Sequence, residues 1–259
     1  MEKIEQSGPV TISISVVSHG QMRLIEHLMH DIRAHCIGQD IEFILTLNID
    51  EDATFAVSVF WFPIQVIKNT TPKGFGANHN QAFQMARGHY FCVLNPDIRF
   101  DSCPFAGLIS SFKGREVGVT APIVLSPSGQ IEDSARRFPT PHKIFTKLLS
   151  KPQSPDYVFE FESFTVDWVG GMFMLFPRSV FQSLNGFDDR YFLYYEDVDI
   201  CARLSLSNLQ AQVCPQTRVV HHAQRSSHRH MKYLVWHLSS MLRFFTSPVY
   251  RQLWRLQRL

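Results

Sequence analysis

At 259 residues, 45% of them hydrophobic and 19% charged, the chain has enough apolar material for one large core or two fused half-domains, which argues against a disordered protein. The net charge of +2 hides a segregation: residues 200–259 carry nine Lys or Arg and no Asp or Glu, leaving 16 basic against 23 acidic residues, a balance of −7, before them. A basic field at one end suits an anionic ligand or an anionic membrane surface; nucleic acid is disfavoured, because no reading motif lies in that segment.

Residues 1–9 lack the basic-then-apolar pattern of a signal peptide and are expected to be flexible. No stretch reaches the roughly 18 consecutive apolar residues of a spanning helix, so a cytoplasmic protein is expected, with the inner face of the plasma membrane its nearest surface. Residues 10–17 read as a buried strand, 22–35 as an amphipathic helix and 42–47 as a second strand. A short strand over 64–67, a helix over 77–86 and a strand over 90–94 follow. Strands alternating with helices predict a mostly parallel sheet covered on both faces, with ligands bound beyond the carboxyl ends of its strands.

The second half is less regular. A strand is expected over 117–125, then a Ser126-Pro127-Ser128-Gly129 turn with 130–134 as the returning partner. Residues 139–163, with four prolines, form a long loop with one short helix over 142–150. An apolar strand is expected over 166–176, a helical turn over 178–184, a helix over 196–207, one or two strands over 211–220, and a helix over 230–245 with a basic, aromatic tail. The five cysteines are scattered, with no C-x-x-C pair, and read as small buried hydrophobes.

Four segments carry chemistry. In Leu94-Asn95-Pro96-Asp97 a carboxylate leaves a buried strand, where a hard cation that keeps open positions for a diphosphate finds an oxygen ligand; the bland alternative is a turn or capping residue. From Gly186 to Asp199, three acids, Glu196, Asp197 and Asp199, crowd a helix start behind Tyr194 and Tyr195. A helix cap and an Asp199–Arg203 pair account for Asp199, whereas a general base fixed by packing suits the other two. Gly74-Phe75-Gly76-Ala77-Asn78-His79-Asn80, beside Lys73, opens a helix; it is either a phosphate cradle or a plain turn. In the segment from Val219 to His230, His221 leaves a strand as a metal-ligand candidate and Arg225 follows as a phosphate-binding one, while the histidine spacing fits no structural zinc pattern.

In this order the segments resemble family 2 glycosyltransferases, particularly the bacterial rhamnosyltransferase-like members, with Trp168 to Leu175 matching a further W-x-x-G-x-x-x-L strand; the resemblance runs from about Val10 to Arg225. It implies a GT-A fold, an α/β architecture whose nucleotide-sugar-binding half would span 10–100 and whose fused acceptor and catalytic half would span 101–229, before a C-terminal helix and amphipathic tail over 230–259. It implies inverting transfer of a sugar, rhamnose among the candidates, from a nucleoside diphosphate donor to a glycan or lipid-linked acceptor, as in surface polysaccharide synthesis. Asp97 would coordinate Mg²⁺ or Mn²⁺ with Asn95 and Pro96 beside it and His221 as a further ligand. Asp197 would be the base, with Glu196 orienting it or touching the acceptor.

Ser18, His19, Asn48, Lys73, Gly76 and Asn80 would line the donor site, and Trp168, Gly170, Gly171, Tyr195 and Arg225 the sugar and acceptor pocket. Two departures, Ser18-His19-Gly20 after the first strand and Asn48-Ile49-Asp50 after the second, mean that the base pocket is rebuilt. The tail from Phe244 to Leu259 is a candidate for lying on anionic lipid, for packing on the core or for pairing with a second copy as a homodimer. A nucleotidyltransferase, lacking its glycine-rich basic loop here, and an inactive carbohydrate- or lipid-surface-binding protein are the competing readings.

Overall fold

The computed structural model describes residues 11–53, 55–113, 116–144, 156–157, 162–222 and 231–257. The expected flexible residues 1–9, most of the expected helix over 142–150, and Arg225 lie outside them.

In β1 (Ile12–Ser18), Ile12, Ile14 and Val16 alternate with serines, and the apolar set shares one buried cluster with Ile25, Leu28, Met29 and Ile32 of α1 (Met22–His35). The serines are buried too, and each has a partner: Ser13 Oγ donates to Glu42 at 2.6 Å and Ser15 Oγ meets His79 Nδ1 at 2.8 Å. The chain continues through β2 (Ile41–Leu47), β3 (Ile64–Lys68), α2 (Phe75–Phe83) and β4 (Tyr90–Leu94). These four strands are all parallel, in the order β3–β2–β1–β4, as the alternation predicts.

Beyond β4 the sheet becomes mixed. It continues through antiparallel β10 (Phe173–Pro177), β6 (Val117–Leu125), the long β11 (Gln210–His221) and the two-residue β5 (Ile98–Arg99), with β8 (Phe164–Val166) also on β11. One face is covered by α1 and α3 (Phe105–Ser110), the other by α2, α4 (Arg178–Ser183) and α5 (Glu196–Leu206). The chain order reverses between β1 and β4, so the loops leaving both strands open a crevice at their carboxyl ends.

Three expectations change in detail. The segment over 130–134 makes only a single bridge, Ile131 to Leu125, and the pairing passes instead to β7 (Ala135–Arg136) with β9 (Trp168–Val169). The apolar run over 166–176 is broken at Gly170–Met172, which separates β9 from β10. The C-terminal part is two helices, α6 (Met231–Thr246) and α7 (Pro248–Gln257), because Pro248 has no amide to continue the first and fits the start of the second. α7 packs on the core: Leu253 is buried, and Tyr250 lies 5.4 Å from the ring of buried Phe244.

Candidate active site

Asp97 sits just past β4 and is 8% exposed. The short pairing of β5 with the end of β11 sets Ile98 opposite His221, and this brings His221 Nε2 to 3.3 Å from Asp97 Oδ2. On its other side the ring meets Glu132 Oε2 at 2.8 Å from Nδ1. Burial opposes a charge on His221, but the two flanking carboxylates outweigh it and raise its pKa to about 9. Asp97 Oδ1 is buried with no hydrogen-bond partner. A buried carboxylate oxygen without a partner, beside an imidazole steered from behind by a second carboxylate, fits a divalent cation. Among the described residues no three His, Cys, Asp or Glu are grouped as a complete cage. A cation held at Asp97 would keep open positions for a bound substrate, as magnesium-type sites do.

The second acid stands at the start of α5. Asp197 Oδ2 accepts from the amide of Gly171 at 3.1 Å, and Oδ1 from the amide of Val198 at 2.8 Å. Burial raises its pKa, and those two amides together with the charge of Arg136 oppose the rise. Tyr194 and Tyr195, just before it, hold left-handed backbone at φ 71° and 67°, a conformation that costs about 1–3 kcal/mol each for such residues. Helix α6 holds them there: the His237 ring lies 5.3 and 5.5 Å from the two tyrosine rings, and Ser240 Oγ donates to Leu193 O.

Asp97 and Asp197 are joined by the break between β9 and β10. The amide of Asn95 donates to Met172 O at 2.9 Å, while the adjacent Gly171 donates to Asp197. A second segment runs alongside: Glu132 holds His221, Ser134 O accepts from Gly170, and Arg136 lies 5.6 Å over the Trp168 ring. A Cβ on Gly171 would stand 3.2 Å from the Phe75 ring, close enough that the ring would have to give by a few tenths of an ångström, and in ordinary contact with Asp197 Cβ at 3.7 Å. Asp197 opens into a cavity of about 510 Å³ whose walls include Arg136, Arg137, Lys143, Trp168 and Tyr195. Glu196 is not among the residues lining that cavity; it is 5% exposed, its Oε2 has no partner, and burial, then the charge of Asp197, raises its pKa well above the ordinary range. Asp199 pairs with Arg203 at 2.7 Å, as its spacing predicts.

The residues expected on the donor side divide into two sets. Ser18, His19, Asn48 and Lys73 meet at the carboxyl ends of β1 and β2. Asn48 Oδ1 accepts from the Lys73 amide at 2.8 Å and from Asn69, its Nδ2 donates to Lys73 O, and its own amide donates to Ser18 O. Gly76 and Asn80 face the 186–192 segment instead. Asn80 exchanges hydrogen bonds with both backbone groups of Phe187 and also donates to Asp189. A Cβ on Gly74 would lie 2.6 Å from Phe192 O, and one on Gly76 2.6 Å from Phe187 Cβ. The two glycines admit that segment, and the Phe75 amide at the helix start is taken by Phe192 O at 2.8 Å. Glu132, Arg136, Arg137 and Lys143 were not singled out from sequence; the Arg136-Arg137 doublet was the available signal.

A crevice at the switch point, a carboxylate closing a parallel strand and a second carboxylate across a two-residue bridge are features of a glycosyltransferase of GT-A architecture. The chain belongs to glycosyl transferase family 2, whose family model matches residues 13–173. Residues 155–230 match a second model, described as the N-terminal domain of galactosyltransferase. Rhamnosyltransferase WbbL of Escherichia coli (strain K12) is 27% identical over 246 residues, covering 90% of this chain and 92% of that protein. An N-acetylglucosaminyl-diphospho-decaprenol L-rhamnosyltransferase of Mycobacterium tuberculosis is 29% identical over 147 residues, 53% of this chain and 48% of that one.

Among solved structures, GalNAc-T7 with UDP, GalNAc and Mn²⁺ superposes with a TM-score of 0.68 at 15% identity. That match covers 93% of this chain but only 48% of GalNAc-T7. A mannosyltransferase from Pyrobaculum calidifontis in complex with GDP-Man and Mn²⁺ gives 0.62 at 16%, covering 92% and 65%. At such identities the structural likeness speaks for the fold alone.

Proposed function

We propose that this chain is a metal-dependent inverting transferase that moves a sugar, rhamnose being the first candidate, from a nucleoside diphosphate-sugar to a hydroxyl of a lipid-linked glycan acceptor. The observation that carries the reading is the bridge of Asn95, Gly171 and Met172, which ties the Asp97 loop and the Asp197 carboxylate to one two-residue segment. The relatives support the sugar and the acceptor class: one is named a rhamnosyltransferase, another a transferase acting on a diphospho-decaprenol.

Asp97 and His221 would hold Mg²⁺ or Mn²⁺, with Glu132 fixing the imidazole. A cation held there neutralises charge developing on the departing diphosphate. Asp197 takes the proton of the acceptor hydroxyl as that oxygen bonds to the anomeric carbon from the face opposite the diphosphate. The carbon–oxygen bond to the diphosphate breaks, and the nucleoside diphosphate leaves with that electron pair. The amides of Gly171 and Val198, and then the charge of Arg136 in the cavity wall, oppose the effect of burial and favour the carboxylate of Asp197 as a base. Ser18, His19, Asn48 and Lys73 would form the nucleotide side.

The test is a thermal-shift panel of UDP, dTDP and GDP with their sugars, each with and without Mn²⁺, on wild type, Asp97→Ala and Asp197→Asn. A ligand that binds only the folded state raises Tm. The expected pattern is a Mn²⁺-dependent rise that Asp97→Ala loses and Asp197→Asn keeps, while Asp197→Asn abolishes transfer. Transfer at wild-type rate in either variant would end the assignment.

A further inference from the structure

Helix α6 leaves a continuous apolar face uncovered. Met231, Leu234, Val235, Leu238 and Leu242 are between 48% and 75% exposed. At 3.6 residues per turn these five positions fall within an arc of about 100°, one unbroken stripe along the helix. Scattered exposed leucines are ordinary on a protein surface, but a stripe of five is a patch that marks an interaction.

The borders of the stripe identify what it fits. Along one edge stand Lys232 and Arg243, both exposed; the next helix, α7, carries exposed Arg251 and Arg255. From residue 200 to the end of the sequence there is no acidic side chain to offset them. Along the other edge stand His237 and Met241, which line the cavity that holds Asp197. We propose that the α6 stripe docks this enzyme on an anionic lipid bilayer, lying in the interfacial plane with its cationic edge on the headgroups and the mouth of the Asp197 cavity turned to the surface.

A second copy of the chain is a poorer occupant, because a two-fold contact through this stripe would bring two copies of the basic Lys232–Arg243 edge together. No helix among the described residues is long and apolar enough to cross a membrane. A helix of 16 residues with one apolar stripe is suited to lie on the surface. Docking through α6 also reaches the site, since the same helix packs against the left-handed Tyr194–Tyr195 turn through His237 and Ser240. The continuous stripe lies on α6; in the final helix Leu253 is buried in the core, and Trp254 and Leu256 are the large apolar residues left exposed. The inference goes beyond the transferase reading, and its test does not depend on catalysis.

The full chain would be floated with vesicles of phosphatidylcholine and phosphatidylglycerol, and with phosphatidylcholine alone. Wild type should float with the anionic vesicles, and salt should weaken that binding. Leu234→Glu and Leu238→Glu should each lower partitioning about tenfold or more, with circular dichroism and Tm unchanged, because both side chains already face solvent. Lys232→Glu with Arg243→Glu should remove the preference for phosphatidylglycerol. Transfer to a short water-soluble acceptor by Leu238→Glu should equal wild type, which separates loss of docking from failure of the transferase reading. The proposal is overturned if wild type ignores anionic vesicles, if both leucine variants still bind like wild type, or if sedimentation shows a dimer that Leu238→Glu dissolves while vesicle binding is absent.

Discussion

Glu132 touches neither Asp97 nor the cavity of Asp197, yet it should set the affinity for the cation proposed at Asp97. Its Oε2 lies 2.8 Å from His221 Nδ1, so it fixes which ring nitrogen faces Asp97 and makes that nitrogen a better donor. Hydrogen bonds to charged groups are worth about 1.5–3 kcal/mol, and carboxylates behind a metal-bound imidazole typically contribute about 10–100-fold in affinity. The Glu132 side chain is 24% exposed, and this partial screening places the expected loss for Glu132→Ala near the lower end, about 10–30-fold. Glu132→Gln keeps an acceptor without the charge and should fall between Ala and wild type. Electron paramagnetic resonance of free Mn²⁺, read with and without a nucleoside diphosphate, measures this directly. At saturating Mn²⁺, kcat should return to within about twofold of wild type, because the residue acts through His221 and not on the substrate. Unchanged Mn²⁺ affinity in Glu132→Ala would refute the reasoning, as would a fall in kcat that excess metal does not restore.

Asp197→Asn should cost about 10²–10⁴ in transfer rate, the span general bases usually supply, with donor binding intact by thermal shift; an active variant would remove Asp197 from the chemistry. Because burial raises the pKa of Asp197, kcat/KM should rise with pH through a limb above the usual carboxylate range. Arg136→Gln removes a charge that holds that carboxyl down, so its pH–rate limb should move to higher pH; an unmoved limb contradicts the coupling. Glu196 has a folded pKa raised by burial, so its contribution to stability is whole below the unfolded value and is lost as pH rises towards the folded one. Glu196→Gln should therefore gain in Tm relative to wild type as pH climbs from the acidic side of the carboxylate range to neutrality, and a Tm difference independent of pH would contradict this. Gly74→Ala should destabilise by about 1–3 kcal/mol through its clash with the Phe192 backbone, read from thermal unfolding; full stability there would show that the 186–192 segment is not tightly seated.

The strands and helices up to β4 were legible because each is a local pattern: a buried run, an amphipathic period, a turn between them. The same patterns placed Asp97 at a strand end and Asp197 in a first turn. What could not be read is whatever depends on which distant strands become neighbours. Glu132 meets His221 across 89 positions only because β6 and β11 run side by side, and no local feature of Glu132 marks that. The G-x-G segment shows a second limit. A glycine signals that something approaches the backbone closely, and the signal is the same whether the visitor is a phosphate or another stretch of chain. Here, at Gly74 and Gly76, the visitor is the 187–192 segment that leads into Asp197. That segment is held by Asn80 from one side and by α6 from the other, where the Trp236 ring lies 4.7 Å from that of Phe192. A loop clamped between two helices can keep two tyrosines in left-handed backbone, and those tyrosines set the direction in which the helix of Asp197 begins. Residues expected as donor contacts thus bear on the position of Asp197, the proposed base, which is why loss of the Asn80 clamp should reach the transfer step before it reaches the nucleotide.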